Sequence, residues 1–388
     1  MRSAYGLQIP SEDAELTHVG PGTPCGELLR RYWHPVCASA ELTDVPRRVR
    51  ILGEDLVAFR DGRGRPGLLF FRCSHRNTSL EYGRVERDGL RCCYHGWLYD
   101  VEGNVLEMPL EPAGSSLKKR VRHPVYPVQE FGGLLFAYMG PLDKMPLLPR
   151  YDVLVAEPGT LHARFGIRVG GAHNCNWLQG QENIMDVAHT MWLHTRHSVP
   201  QLSSEVWGIE PRIEYRETEL GMQAVMTRVL PDGREWVVTW DMFMPMTCHI
   251  AYADDPRTEK AREVKYVVPV DNTHHLGPRI IWAPPGQDYS FGKEREAKAP
   301  INRKDTSYEY TQRFPDDKEA TEAQGEITIH ALEHLASSDK GVIMLRRLLR
   351  EGIRAVRAGR DPKGVIRDPK VAECVSTAAG SVLRERAA

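Results

Sequence analysis

Residues 73–97 read CSHRNTSLEYGRVERDGLRCCYHGW, and the cysteines and histidines in this stretch are the strongest indication of the fold of the first half of the chain. It holds a Cys-x-His pair, Cys73 and His75, and sixteen residues later a Cys-x-x-His pair, Cys92 and His95. The surrounding residues, from about 49 to 138, alternate short apolar runs with glycine-containing turns, a pattern typical of β-hairpins. Two such pairs on two hairpin loops predict a metal centre with two thiolate and two imidazole ligands.

Zinc and a [2Fe–2S] cluster both accept two thiolates and two imidazoles. Zinc sites typically take two cysteines from one turn and two histidines from another, whereas each pair here mixes one cysteine with one histidine. This mixing, followed by Gly96 and Trp97, favours the cluster, with the thiolates on one iron and the imidazoles on the other. A zinc-stabilised binding protein stays as an alternative hypothesis.

A second group of ligand residues lies in 176–197, NWLQGQENIMDVAHTMWLHTRH, within a segment whose apolar spacing predicts a helix. Two histidines and one carboxylate form the facial triad of non-haem Fe(II) oxygenases, which leaves coordination positions open. His189 and His194 are five residues apart, about 140° around an ideal helix, so they can share a metal only if the helix distorts or ends between them. His197 is expected in a pocket wall or on the surface.

The overall composition excludes several classes of protein. The chain has 51 Lys and Arg against 52 Asp and Glu, which gives no reason to expect nucleic acid or an anionic membrane as a partner. We see no apolar run of membrane-spanning length and no secretory signal. The eight cysteines are too sparse for a disulfide scaffold. We therefore expect a cytoplasmic protein without membrane or nucleic-acid partners.

The remaining segments predict how the chain is divided. The stretch 145–152, MPLLPRYD, is a proline-punctuated linker and a plausible domain boundary. Strands are expected over about 212–282, and a polar loop that lines or covers a site over 284–315. Good helix formers and a repeating apolar stripe predict a helix over 323–357.

The two ligand groups together resemble the Rieske non-haem iron oxygenases. The Cys-x-His and Cys-x-x-His-Gly-Trp loops are similar to the cluster loops of that family, which usually has proline where this chain has Cys93. Cys92 alone keeps the spacing to His95, so we expect Cys92 to be the ligand and Cys93 to be a packed free thiol. The nearest branch is that of phthalate dioxygenase, phenoxybenzoate dioxygenase and the aromatic O-demethylases.

Residues 182–194 resemble the catalytic motif Glu-Asn-x-x-Asp-x-x-His-x(4)-His of the same family. On this resemblance His189 and His194 are iron ligands. Asp186 lies one turn before His189, so it can orient a ligating imidazole. The resemblance also implies that Asp186 receives electrons from the cluster of a neighbouring subunit through that subunit's His95.

The third iron ligand is also implied by the resemblance. The branch has an aspartate five residues before the glutamate of a Glu-x-Gln/Met-Gly element, which here starts at Glu322, and counting back gives Asp317. Asp316 is the close alternative, and Glu319 is less favoured, as is Glu322 itself.

The resemblance covers nearly the whole chain and implies an α+β fold. It predicts residues 1–45 as an N-terminal segment packing on the catalytic domain and 46–145 as the Rieske [2Fe–2S] β-domain. Residues 150–388 are predicted as the catalytic non-haem iron domain, a twisted antiparallel sheet with helices of the helix-grip or START-like kind.

The implied function is that of an oxygenase component that uses O₂ to hydroxylate, dihydroxylate or O-dealkylate an aromatic substrate, carboxylated or ether-bearing. Its implied cofactors are the Rieske [2Fe–2S] cluster and a mononuclear non-haem Fe(II). Its implied partners are a separate reductase of the FMN and ferredoxin type, or a ferredoxin, and two further copies in a homotrimer. Arg196, Arg212 and Arg228 are candidates to bind an acidic substrate. A Rieske electron-transfer protein without oxygenase activity is the second alternative.

Overall fold

The computed structural model describes residues 6–112, 114–165, 172–197, 202, 204–250, 263–285 and 307–386. It combines short helices with antiparallel sheets, so the predicted α+β class is confirmed. None of the helices within these ranges is long and apolar enough to cross a bilayer.

The N-terminal half consists mainly of short antiparallel strands in three sheets, ordered β1-β10-β9, β2-β3-β4 and β5-β6-β7-β8. In chain order its elements are α1 (Ala14–Thr17), α2 (Pro24–Leu29), β1 (Trp33–Ala38), β2 (Arg47–Ile51), β3 (Glu54–Arg60), β4 (Pro66–Phe70), β5 (Arg84–Glu86), β6 (Gly89–Arg91), β7 (Leu98–Tyr99), β8 (Val105–Glu107), α3 (Leu117–Arg120), β9 (Val128–Phe131) and β10 (Leu134–Tyr138).

Strand β3 separates two hydrophobic cores. Because successive side chains of a strand point to opposite faces, Leu56 and Ala58 join the large core of the molecule, while Val57 and Phe59 join a smaller core. Cys73 and Cys92 belong to that smaller core. The cysteine-bearing loops therefore rest on a packed core of their own.

The C-terminal half contains an eight-stranded antiparallel sheet and most of the helical residues. Its elements are α4 (Asp152–Val155), β11 (Thr160–Arg164), α5 (Trp177–Met185), α6 (His189–Trp192), a π-helical turn (Leu193–His197), α7 (Ser204–Trp207), β12 (Arg212–Glu217), β13 (Gly221–Val229), β14 (Glu235–Phe243), β15 (Thr247–His249), β16 (Glu263–Tyr266), β17 (Val268–Pro269), β18 (His275–Leu276), β19 (Arg279–Ala283), α8 (Tyr308–Arg313), α9 (Asp317–Glu322), α10 (Lys340–Arg357), α11 (Pro369–Glu373) and β20 (Gly380–Arg384).

The two longest strands form the centre of this sheet. The order is β11-β19-β16-β15-β14-β13-β12, with β20 pairing beside β14. Strands β13 and β14 pair over their full length, from Gly221 opposite Phe243 to Val229 opposite Glu235. Met222, Ala224 and Met226 are fully buried on one face of β13. That face carries the interior of the catalytic half.

Helix α10 packs its apolar side into this interior. Val342, Leu345, Leu349 and Ile353 are buried and recur every three or four residues, which is the stripe of an amphipathic helix. The start of α10 lies against the end of α5, because a Cβ added to Gly341 would lie 2.5 Å from the carbonyl oxygen of Met185. Close approach of the two helices thus requires glycine here.

Backbone hydrogen bonds join the two halves. The β2–β3 hairpin turns through Leu52 and Gly53, whose φ angles of 49° and 77° suit a two-residue turn. Their N–H groups donate to the carbonyls of Pro269 and Val270 at 3.0 and 2.9 Å. The hairpin turn of the first half is therefore fixed directly to the second half.

The helix predicted over 323–357 begins only at Lys340. Helix α9 ends at Glu322, and Gly325 follows with a φ of 100°, which favours glycine. The next residues bond to the N-terminal part of α5, because Glu326 accepts from the N–H of Asn176 at 2.8 Å and the N–H of Thr328 donates to Oε1 of Gln179 at 3.1 Å. The residues from 329 to 339 form only short turns. Tertiary hydrogen bonds outweigh helix propensity in this segment.

The predicted polar loop over 284–315 falls mostly outside the described residues, which omit 286–306. Its C-terminal part is partly helical, because α8 spans Tyr308–Arg313.

Candidate metal centres

The first ligand group is formed by two tight loops of similar design. In the loop after β4, the N–H of Asn77 donates to the carbonyl of Cys73 at 2.9 Å. Between β6 and β7, the N–H of Gly96 donates to the carbonyl of Cys92 at 3.2 Å. Asn77 and Gly96 have φ angles of 61° and 74°, a left-handed conformation that Asn and Gly adopt most readily. Each loop therefore turns back immediately after its cysteine.

The structure brings the four predicted residues of this group together. Cys73 and Cys92 are buried, and a hydrogen bond between their thiols lowers the pKa of Cys73 and raises that of Cys92. The imidazole rings of His75 and His95 lie 4.4 Å apart between centroids. His75 is exposed and His95 half-buried, so the thiols face the core and the imidazoles face outward. This donor set fits a [2Fe–2S] cluster with its histidine-bound iron near the surface.

Aromatic side chains surround the group, and among them Tyr99 and His123 were not singled out by the sequence. The hydroxyl of Tyr99 lies 3.0 Å from the Sγ of Cys73. The indole of Trp97 stacks on His75, with centroids 4.7 Å apart and planes 6° from parallel. His123 lies between α3 and β9, and its Nδ1 is 2.8 Å from Oγ of Ser74. Only Trp97 lay within the recognised motif.

The predicted burial of Cys93 is wrong. Cys93 is exposed, while its neighbour Cys92 is buried beside Cys73. The loop points consecutive side chains in opposite directions, so only one of the two cysteines can face the other loop. The structure thereby places Cys92, and not Cys93, with the other three residues.

The second ligand group depends on a distortion of the helix that carries it. Helix α5 ends at Met185, α6 spans His189–Trp192, and the backbone continues as a π-helical turn over Leu193–His197. A π-helical turn bonds residues five apart, and therefore brings positions i and i+5 toward one face. The imidazoles of His189 and His194 lie 5.1 Å apart between centroids. The distortion required by their spacing is present.

Asp317 completes this group from the first turn of α9. Its Oδ1 lies 3.1 Å from Nε2 of His194 and 3.4 Å from Nε2 of His189. The three ligand atoms all lie within 4.8 Å of one another. The alternative, Asp316, is the N-cap of α9, and its Oδ1 accepts the N–H of Asp317 at 2.8 Å. Asp317 thus lies nearer to both histidines than Asp316, whose Oδ1 is 3.9 Å from Nδ1 of His194.

The charges of the group are coupled. Burial raises the pKa of Asp317, but hydrogen bonds from His189 and His194 outweigh it and hold that pKa well below its usual value. Burial lowers the pKa of His189, but Asp317 and Asp186 outweigh it, and the net shift is upward. Two imidazoles and a carboxylate at these distances offer the donor set of a facial triad.

Hydrogen bonds hold α9 against α5, and sequence reasoning gave no sign of them. The side-chain amide of Gln179 donates to the carbonyls of Thr321 and Gly325 at 2.8 and 3.0 Å. Asn183 donates from Nδ2 to Oδ1 of Asp317 at 3.3 Å. The helix that precedes the two histidines is therefore fixed to the helix that carries the carboxylate.

A further group of Glu182, His330 and Glu333 also has ligand atoms within 4.8 Å of one another. Arg346 already occupies the space between the two carboxylates. It binds Glu182 through Nε and Nη2 at 2.5 and 2.8 Å, and Glu333 through Nη1 at 2.6 Å. We read this group as a buried ion-pair network that joins α10 to α5.

Asp186 follows the last residue of α5 and contacts His189 with its backbone. Its carbonyl oxygen is bonded to Nδ1 of His189, whereas its carboxylate Oδ2 is 3.9 Å from the same nitrogen. The carboxylate is 34% exposed, and burial raises its pKa. Within the described chain His95 and Asp186 form no ion pair. His197 is exposed at the end of the π-helical turn.

The three candidate arginines differ sharply in environment. Arg196 is exposed and donates to the carbonyl of Gly208 at 2.9 Å. Arg212 is 65% exposed and pairs with Glu214. Arg228 is fully buried.

Comparisons with known proteins agree with this geometry. A family model described as "Rieske [2Fe-2S] domain" matches residues 32–128. The phenoxybenzoate dioxygenase subunit alpha of Ectopseudomonas oleovorans is 43% identical, over 94% of this chain and 90% of that protein. The oxygenase subunit of tert-butanol monooxygenase / tert-amyl alcohol desaturase of Aquincola tertiaricarbonis is 40% identical, over 94% and 81%. The solved structure of NdmA from Pseudomonas putida CBB5, 20% identical, covers 88% of this chain and 97% of its own with a TM-score of 0.65, and supports the fold.

Proposed function

The chain belongs to the Rieske non-haem iron oxygenases, as an oxygenase (alpha) subunit of the phthalate dioxygenase-like branch, and we propose that it oxidises a carboxylated or ether-bearing aromatic substrate with O₂. Membership of the family gives it two cofactors, a [2Fe–2S] cluster and a mononuclear non-haem iron. The observation that carries the proposal is the presence of two separate ligand groups with different donors, one of thiols and imidazoles and one of imidazoles and a carboxylate.

We assign the cluster to Cys73, Cys92, His75 and His95, and the mononuclear iron to His189, His194 and Asp317. The support is that the ligand residues of each group lie together in the structure. When bound, a mononuclear iron held by His189, His194 and Asp317 would supply O₂ activation, for which the cluster would pass on the electrons. The residues of the chain hold, orient and connect the two sites.

The protonation of His189 follows from its contacts. With a metal bound, Nε2 of His189 would be the ligand atom beside Asp317, and Nδ1–H would donate to the carbonyl of Asp186. A ligating histidine commonly donates its other ring N–H to a carbonyl in this way, which fixes the tautomer and the ring orientation. The carbonyl of Asp186 therefore positions the imidazole, and the carboxylate of Asp186 stays available for another contact.

That further contact is proposed to be with His95 of a neighbouring subunit in a homotrimer. The imidazoles of the cluster group face outward, and the Asp186 carboxylate is partly exposed. Electrons would enter each trimer from a reductase of the FMN and ferredoxin type, or from a ferredoxin, and cross between chains at this contact.

The bridge is tested by Asp186→Asn. We expect both metals to remain bound and product formation to fall by at least about 100-fold, because the amide cannot carry the charge that holds His95 of the next subunit. Asp339→Asn is the matched control. The negative charge of Asp339 raises the pKa of Asp186, but Asp339 is not a residue of the proposed bridge. Normal product rates in Asp186→Asn would rule out the bridge.

The reaction class is tested with labelled oxygen. The purified holoenzyme, given a compatible reductase and NADH, is supplied with ¹⁸O₂ and a panel of phenoxybenzoates, phthalates and methoxybenzoates. Label in a hydroxylated, dihydroxylated or dealkylated product supports the proposal and identifies the outcome. Reduction and reoxidation of the protein without labelled product from any aromatic compound would favour the electron-transfer alternative.

We propose the domain limits 1–45, 46–145 and 150–388 on packing grounds. The first segment is bonded to the catalytic half, because Nδ2 of Asn176 donates to the carbonyl of Thr17 at 2.8 Å. Strand β1 of the same segment also pairs with β10, so this segment contacts both halves. All eight cysteines are free, which suits the proposed cytoplasmic location.

A further inference from the structure

His123 is a buried histidine beside the cluster group, and neither of the two metal sites uses it as a ligand. It is only 2% exposed. Its backbone N–H donates to the carbonyl of Gly103 at 2.8 Å, and the carbonyl of the adjacent Pro124 accepts the N–H of Phe70 at 2.9 Å. Its ring lies against that of Tyr99, with centroids 4.5 Å apart. The position of His123 is therefore set by segments outside the two cluster loops.

The partners of the two ring nitrogens fix the protonation of His123. Nε2 lies 2.9 Å from the carbonyl oxygen of Phe70, which can only accept, so Nε2 carries a hydrogen. Burial lowers the pKa of His123 to about 4, so the ring is neutral at pH 7 and its Nδ1 has a free lone pair. Nδ1 is 2.8 Å from Oγ of Ser74, and the hydroxyl of Ser74 must therefore donate to it.

Ser74 stands between two proposed ligands of the cluster. It separates Cys73 from His75 in the first cluster loop, and it is exposed. A serine hydroxyl rotates freely about its C–O bond, so at this point of the loop it could turn its hydrogen toward a sulfur of a bound cluster. The contact with His123 commits that hydrogen to the opposite partner.

The direction of this hydrogen has a consequence for the cluster. Hydrogen bonds to the sulfurs are among the factors that set the reduction potential of an iron–sulfur cluster, and they raise it because they stabilise the more negative reduced state. The hydroxyl of Tyr99 already lies 3.0 Å from Sγ of Cys73. A second hydroxyl donor from the same loop would raise the potential further, and the lone pair of His123 removes that donor.

We propose that His123 is a positioning residue that keeps the Ser74 hydroxyl from donating to the cluster and so holds the reduction potential of the cluster lower; the inference rests on the cluster assignment in the proposed function. His123 acts through Ser74 and touches no ligand itself. A lower potential makes the reduced cluster a stronger electron donor, which suits a cluster that passes electrons on to a second site.

The test is a spectroelectrochemical titration of the holoenzyme, followed through the Rieske absorption and independent of turnover. Ser74→Ala should leave the midpoint potential unchanged, because its hydroxyl gives nothing to the cluster. His123→Phe keeps a ring against Tyr99 but cannot accept a hydrogen bond. At the wild-type midpoint potential it should raise the ratio of reduced to oxidised cluster at least about threefold.

Two further variants show whether the effect passes through Ser74. The double variant Ser74→Ala/His123→Phe should return to the wild-type potential, because the freed hydroxyl is gone. His123→Asn should also keep the wild-type potential, since its Oδ1 replaces Nδ1 as the acceptor for Ser74. The EPR spectrum of each reduced variant checks that the cluster is present.

The contrary results are distinct. A lower potential in Ser74→Ala would show that its hydroxyl already donates to the cluster, and would overturn the proposal. An unchanged potential in His123→Phe, or a rise that persists in the double variant, would overturn it as well. If His123→Phe does not fold, Ser74→Ala and His123→Asn decide, because a shifted potential in either contradicts the proposal. A wild type without a Rieske EPR signal would refute the cluster assignment itself, whereas a normal signal with any of these shifts refutes only the role of His123.

Discussion

The two ligand groups are built in opposite ways. The cluster group comes from two loops within 25 residues of sequence, Cys73 to Trp97, each shaped by its own backbone turn and resting on one small core. The iron group combines a distorted helix with Asp317, more than 120 residues further along the chain. Its geometry depends on contacts of α5 with α9 and α10. The first site is therefore formed locally in the chain, whereas the second forms only in the assembled fold.

The largest expected effect is that of His95→Ala. Loss of one imidazole should abolish the Rieske absorption and EPR signals and all turnover, while the mononuclear site keeps its iron because the two groups share no residue. Cys93→Ser is the control and should retain the cluster, since Cys93 is exposed and faces away from Cys73. A normal Rieske spectrum in His95→Ala, or its loss in Cys93→Ser, would contradict the assignment of the first site.

The reverse separation is expected for Asp317→Ala. This variant should lose about one iron per chain and all turnover, and keep the cluster spectrum, because the carboxylate that meets His189 and His194 is gone. Asp316→Ala removes the N-cap of α9 and should cost about 1 kcal/mol of stability with iron retained. Metal analysis and unfolding curves of both variants show which of the two aspartates is the iron ligand and which one only caps the helix. Iron loss in Asp316→Ala alone would exchange the two assignments.

A smaller and purely structural effect is expected for Arg346→Leu. Breaking its buried pairs with Glu182 and Glu333 should lower the free energy of unfolding of the catalytic half by about 3–5 kcal/mol. Arg347→Leu is the matched control on the same helix, because Arg347 is 45% exposed and its pairs should contribute less than about 1 kcal/mol. The Rieske spectrum should not change in either variant. Equal destabilisation by the two substitutions, measured by denaturant unfolding, would show that the buried pairs of Arg346 stabilise the fold no more than the exposed pairs of Arg347.

The same contrast explains what could be predicted from the sequence. The cluster loops were recognisable because Cys73, His75, Cys92 and His95 are fixed by short-range turns. The spacing of His189 and His194 also predicted that their helix must distort if they share a metal, and the structure has a π-helical turn there.

Other features could not be read from the sequence because they depend on contacts between distant segments. Gln179 gave no signal, and the catalytic motif that includes Asn183 did not reveal its contact with Asp317, since both partners lie more than 130 residues away in α9. The segment 323–339 has helical composition, but Glu326 and Thr328 bond to the start of α5 and the rest forms only short turns. Cys93 is exposed because Cys92, and not Cys93, turns toward the core. The residue types alone do not show which of two adjacent cysteines will do so.

The central claim is that one chain carries a histidine-ligated [2Fe–2S] cluster together with a separate mononuclear iron. The most direct test is the EPR spectrum of the dithionite-reduced protein, with iron, acid-labile sulfide and zinc counted on the same sample. The account predicts a rhombic Rieske signal and three iron atoms for every two sulfides, since the cluster supplies two of each and the second site one further iron. A colourless, EPR-silent protein loaded with zinc would contradict it.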